Sequence, residues 1–144
     1  IKDIPMLSYF TEEEKEAFCA VKHSFQEYKK DELIIKEGDE SAALFLLITG
    51  TAIVTQTSGG SQIRLSKLEP GEIFGEMSFF SKKPRTSNVV SKNESLVVKM
   101  DDDFFDKIDP NLKDKIKNYF IELLISRLDV MNEQIMTISR LMRG

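Results

Sequence analysis

The 144 residues carry 24 acidic and 20 basic side chains, a net charge of −4, with 41% hydrophobic and 31% charged residues; this is the balance of a folded globular chain, not of a disordered tail or an indiscriminate nucleic-acid coat. One cysteine (Cys19) and one histidine (His23) exclude an internal disulfide, a four-cysteine iron–sulfur site and a histidine-rich metal site. The longest apolar run, ending at Ile48, falls far short of the roughly 20 residues that cross a bilayer, and Ile1–Pro5 has no secretory pattern; the expectation is a small cytoplasmic domain without membrane insertion, and Ile1 in place of Met points to a processed or excised piece.

In chain order, Thr11-Glu12-Glu13-Glu14 reads as a capping box, opening a helix that runs to about Val21 with Ala17, Phe18 and Val21 on one face. Cys19 is expected to be buried packing on that helix, and His23 to begin a strand with no partner nearby in sequence. Short β segments follow, each closed by a turn signal: Leu33–Ile35, Ala43–Ile48, Ala52–Gln56, Ile63–Leu68, Asn88–Ser91 and Leu96–Met100. Seven or eight strands at this spacing predict a mainly β protein with flanking helices, a jelly-roll. Asp101–Ile108 reads as a short helix capped by an Asp, and Pro110 opens a long C-terminal helix with no further Gly or Pro until Gly144. The expected division is therefore residues 1–110, the roll with its N-terminal and short helices, and residues 111–144, the long helix.

On that last helix Ile121, Leu124, Leu128, Met131, Ile135, Ile138 and Met142 recur at alternating spacings of three and four, the heptad seam that joins helices side by side. A second stripe, Ile116, Phe120, Leu123 and Val130, is free to pack on the roll. Two apolar faces on one helix favour a homodimer, preferably parallel, over a monomeric core helix. Four acidic residues offset the six basic ones over 111–144, so no nucleic-acid contact is expected.

Phe74–Val89 departs from the strand pattern. Gly75 permits close backbone approach, and Glu76–Phe80 is long enough for one helical turn whose first amides suit an anion. Arg85, nine residues after Glu76, supplies a planar fork matched to two phosphate oxygens, with the Thr86 and Ser87 hydroxyls beside it. Glu76 fits beside a phosphate if the ligand also offers a hydroxyl. As alternatives, Arg85 could be a structural salt bridge, even to Glu76, and Glu76 a solvated carboxylate. Glu72 and Glu76 are the only carboxylates beside the proposed cleft, and the chain has no HxxxH, Walker loop or metal cluster, so catalysis is not expected.

The run Phe74-Gly75-Glu76-Met77-Ser78-Phe79 followed, after four residues, by Pro84-Arg85-Thr86-Ser87-Asn88-Val89 resembles the phosphate-binding cassette of the cyclic nucleotide-binding domain family, found in activator proteins, gated channels and kinase regulatory subunits. Gly38-Asp39, Phe45–Gly50 and Leu68–Ile73 resemble its other landmarks. The resemblance implies a double-stranded β-helix roll with a lid helix, and cyclic AMP or cyclic GMP as ligand with no cofactor. It implies that Glu76 accepts from the ribose 2′-hydroxyl and Arg85 pairs with the cyclic phosphate. Gly75, the amides at Met77, Ser78 and Thr86, the Thr86 hydroxyl and Ser87 would complete the cradle, with Leu65 and Ser66 beside the purine. On the last helix the likeness to activator proteins puts the base contact at Met131 and Asn132, and the likeness to hyperpolarisation-activated channels puts it at Arg127; both stay open. The implied function is a receptor that signals through its C-terminal helix. The alternatives are a ligand-free dimerisation scaffold, or the regulatory fragment of a larger channel or transcription regulator.

Overall fold

The computed structural model describes residues 4–143, except the side chains of Met77 and Phe80. It divides into two units, Ile1–Asp109 and Pro110–Gly144.

In the first unit a 3-10 turn at Pro5–Tyr9 leads to α1 (Glu12–Ala20). The capping box forms: the Glu14 amide donates to Thr11 Oγ1 at 3.1 Å, and the Thr11 amide to Glu14 Oε1 at 2.8 Å. Thr11→Ala is expected to cost about 1 kcal/mol of stability, read as a lowered urea midpoint. Only Phe18 of α1 is buried, edge-on to Phe25 and Phe104 and tilted against Phe10. Cys19, one residue round the helix, is exposed, contrary to the packing role expected for it. His23 also differs from expectation. It lies in a second 3-10 turn, Lys22–Ser24, and its Nε2 is 2.7 Å from Asp103 Oδ2.

Eight strands follow: β1 (Phe25–Tyr28), β2 (Leu33–Ile35), β3 (Leu44–Thr49), β4 (Ala52–Ser58), β5 (Ser61–Leu68), β6 (Ile73–Phe74), β7 (Asn88–Ser91) and β8 (Ser95–Met100). They form two four-stranded antiparallel sheets, ordered β1-β8-β3-β6 and β2-β7-β4-β5, the jelly-roll the turn spacing predicts. Phe45, Leu47, Ala52, Phe74, Val89 and Val97 belong to the core cluster. In β3 every side chain before Thr49 is buried, because this strand lies between β8 and β6 and is covered on both faces. That is why its sequence is a continuous apolar run without alternation. The two-residue β6 has no periodicity of its own to read; it sits at the end of the Leu68–Ile73 lead-in and pairs with β3.

Two helices complete this unit. The six-residue α2 (Glu76–Ser81) interrupts the strands between β6 and β7. α3 (Asp102–Asp106) is capped by Asp101, whose Oδ1 accepts from the Phe104 amide at 2.9 Å. Hydrogen bonds from His23 first and Lys107 second hold the Asp103 carboxyl below its ordinary 3.8. A depressed carboxyl adds stability that is present above its unfolded value and is lost as pH falls through the lower folded one. His23→Ala is accordingly expected to move the Asp103 titration midpoint upward in carboxyl-detected NMR; an unmoved midpoint would contradict the pairing.

The second unit is α4 (Pro110–Arg143), 34 residues and about 50 Å long, with Pro at its first position where no amide is needed. Of the second predicted stripe, Ile116 and Phe120 are buried, Leu123 is half-buried and Val130 is exposed; Leu112, outside that stripe, is also buried. Leu124 of the heptad seam is half-buried, and the other six seam residues are 46–83% exposed. No helix among the described residues is long and apolar enough to cross a membrane.

Candidate functional site

Gly75 is the residue before α2 and adopts φ +81°. That left-handed conformation turns the chain from β6 into the helix and strains any residue with a Cβ. Space excludes a Cβ as well: one built there would lie 2.9 Å from Arg85 Nη1, 3.1 Å from Phe45 Cδ2 and 3.2 Å from the Ala43 carbonyl oxygen.

Arg85 reaches this point from the other end of the cassette. Its backbone is fixed by the loop after β2, with the Arg85 amide donating to Asp39 O and the Gly38 amide to Arg85 O, both at 2.8 Å. Its side chain turns inward and is only 5% exposed. Nη1 donates to Gly75 O and Nη2 to Ala43 O, each at 2.7 Å, and the guanidinium carbon lies 5.7 Å from the centre of the Phe45 ring. Nε is buried and without a hydrogen-bond partner among the described residues. Burial pushes the Arg85 pKa down, opposed first by the Asp39 carboxylate and then by Glu76. A cation this enclosed, held by two carbonyl dipoles and with one N–H unsatisfied, has a donor left to offer an anion.

The other cassette residues surround this point unevenly. Glu76 is half-buried and Ser78 buried, in the first turn of α2. The Met77 side chain lies outside the described atoms. Thr86 is exposed and Ser87 half-buried; the Thr86 carbonyl accepts from Gln56 Nε2 at 3.1 Å. Leu65 and Ser66 are exposed on β5, where Leu65 stands unopposed at a register shift between Ser66 and Arg64. Arg127, Met131 and Asn132 lie on α4, in the second unit. Sequence reading missed Gln56, the Ala43 carbonyl and the Phe45 ring as parts of the site. A backbone carbonyl leaves no mark in a sequence, and Phe45 is indistinguishable there from its apolar neighbours. The cassette helix also meets α3: Phe79 and Phe105 are 5.9 Å apart between ring centres, and Phe105 packs edge-on against Phe104 at 5.4 Å.

The family model described as "Cyclic nucleotide-binding domain" matches residues 25–109, from β1 to the end of the first unit. The chain belongs to this family. Over 100 residues, 69% of its length, the domain is 30% identical to a cGMP-dependent protein kinase of Toxoplasma gondii, of which it spans 10%. Over 108 residues, 75% of its length, it is 29% identical to a cAMP-dependent protein kinase regulatory subunit of Pyricularia oryzae, of which it spans 27%. Among solved structures it is similar to the Thermus thermophilus catabolite activator protein, at 25% identity and a TM-score of 0.74, covering 94% of this chain and 63% of that one. It is also similar to a structure described as Sp-2Cl-cAMPS bound to PKAR CBD2, at 26% identity and a TM-score of 0.62, covering 91% and 84% of the two chains.

Proposed function

We propose that this domain is a cyclic nucleotide receptor, taking cyclic AMP or cyclic GMP as a ligand and signalling through its C-terminal helix. The observation that carries this reading is the buried Arg85 Nε–H with no acceptor among the described residues, in a guanidinium whose two terminal nitrogens are already held by Gly75 O and Ala43 O. With the terminal nitrogens engaged, the side of the fork formed by Nε and a remaining terminal N–H is the part that meets a phosphate. Glu76 takes the ribose 2′-hydroxyl, which explains a carboxylate beside an anion site. Gly75 and the amides at Met77, Ser78 and Thr86, with the Thr86 and Ser87 hydroxyls, close around the phosphate, and Leu65 and Ser66 lie along the purine. The family resemblance assigns the base contact to Arg127 or to Met131 and Asn132. The resulting role is binding and not catalysis.

Signalling in this reading is a population shift. A ligand that gains its base contact only in one arrangement of α4 favours that arrangement. The Phe79–Phe105 contact supports it, because it joins the cassette helix to α3, the element that leads through Asp109 into α4. The exposed seam supports a second copy of the chain as partner, since an isolated helix with this heptad pattern leaves its apolar face in water. Sedimentation equilibrium is expected to give a dimer and Leu128→Glu with Ile135→Glu a folded monomer; a wild-type monomer would refute the dimer. The receptor reading is tested by displacement of a fluorescent cyclic nucleotide: cyclic AMP or cyclic GMP must compete, and 5′-AMP must not. A folded dimer that binds neither would be a ligand-free scaffold, the reading the seam alone favours.

A further inference from the structure

The outward face of the β2-β7-β4-β5 sheet carries a depression of about 350 Å³, which shares only Asn88 with the Phe74–Val89 run. Strand register places it. Val90 stands opposite Leu33 on one side and Ile53 on the other, so these three side chains share a face, while their neighbours Val89 and Ala52 point into the core. Ile53 is only 7% exposed although it faces away from the core, and Leu33 is 48% exposed. Ile53 is thus the floor and Leu33 the open lip. The volume lies at the lower end of small-molecule sites, which run from roughly 300 to 1,000 Å³.

The rim decides what chemistry fits. Gln62 Oε1 already accepts from Thr55 Oγ1 at 2.9 Å and from Asn88 Nδ2 at 3.2 Å, and Asn88 Oδ1 accepts from the Glu37 amide at 2.8 Å. What remains is mainly donor capacity: the second amide hydrogen of Asn88 and the ammonium of Lys92, which forms no ion pair among the described residues. Among the described residues no carboxylate lines the depression. Register puts two more cations on this face, Arg64 opposite Thr55 and Lys67 opposite Ile53, of which Lys67 pairs with Glu69 at 3.1 Å. In a chain of net charge −4 this is a locally positive face around an apolar floor.

We infer that the depression is a second binding site, for a small amphipathic carboxylate: an aromatic or short aliphatic body over Ile53 and Val90, with its carboxylate at Lys92. The site does not depend on the cassette being a nucleotide receptor. The test is a two-dimensional amide NMR titration of the full chain with 2-naphthoate and with the neutral 2-naphthamide. The expected result is saturable shifts at Leu33, Ile53, Val90 and Lys92 with naphthoate, unchanged when cyclic AMP is present. Naphthamide should bind about tenfold more weakly, and Lys92→Glu should weaken naphthoate by a similar factor while leaving the rest of the spectrum in place. Shifts confined to α4 or to the cassette, shifts that never saturate, or equal affinity for the acid and the amide would each overturn the site.

Discussion

Arg85→Ala is expected to remove nearly all cyclic nucleotide binding, at a cost of about 2–5 kcal/mol, from some thirtyfold to several thousandfold in affinity. The size follows from burial: Arg85 is 5% exposed, so its loss takes a charged partner out of an enclosed place and leaves the phosphate charge stranded. Arg85 also ties the backbone just before β3 to that just after β6, because its terminal nitrogens hold the carbonyls of Ala43 and Gly75. Losing those bonds lowers stability by about 1–3 kcal/mol, partly offset because a buried cation is removed with them. Lysine should not rescue binding. It has one ammonium for three directions, Gly75 O, Ala43 O and the ligand, and lacks the planar fork that serves them together. Displacement of a fluorescent cyclic nucleotide, with a urea melt on the same variants, separates the two effects. Full-strength binding by a folded Arg85→Ala protein would show that the cassette is not the site.

Gly75→Ala should be nearly as damaging, for a different reason. At φ +81° an L-residue is strained by about 1–2 kcal/mol, and the new methyl meets the Arg85 guanidinium at 2.9 Å. Phe45 and the Ala43 carbonyl close the other directions at 3.1 and 3.2 Å, so Arg85 is the group that must move. The expected loss of affinity is about tenfold or more, or 1.4 kcal/mol upward. Gly60→Ala is the matched control. Gly60 has nearly the same φ, +83°, but an added Cβ there meets nothing within 4 Å. Both variants should lose similar stability from backbone strain, and only Gly75→Ala should lose binding. Equal binding in the two would mean that the approach of Gly75 to Arg85 is not needed for the ligand.

Much of this was legible in the residues because the signals are local. The capping box at Thr11–Glu14, the Asp101 cap, Pro110 and the turn residues between strands each fix their own neighbourhood, and a roll of about eight strands follows from their spacing, though not which strands pair. The short helix after Gly75 was legible for the same reason: its signals lie within one short segment, where α2 forms as the spacing predicts. What escaped depends on pairing across the chain. His23 meets Asp103 from 80 residues away, and Ala43 receives Arg85 from 42 away, through atoms that no pattern marks. Cys19 was misjudged because α1 buries little besides Phe18, so apolar composition on a short helix overstated its buried face. The outward depression was invisible for a related reason: Ile53, Val90 and Leu33 belong to three strands that come together only through register.

Calorimetric titration of the purified chain, freed of co-purified nucleotide by unfolding and refolding, tests the receptor reading most directly. Cyclic AMP, cyclic GMP and 5′-AMP are compared on wild type and Arg85→Ala. The predicted result is micromolar or tighter binding of at least one cyclic form, no heat from 5′-AMP, and loss of the signal in the variant. A folded wild-type sample giving no heat with either cyclic nucleotide would contradict it, leaving a β-roll whose working surface is the α4 seam.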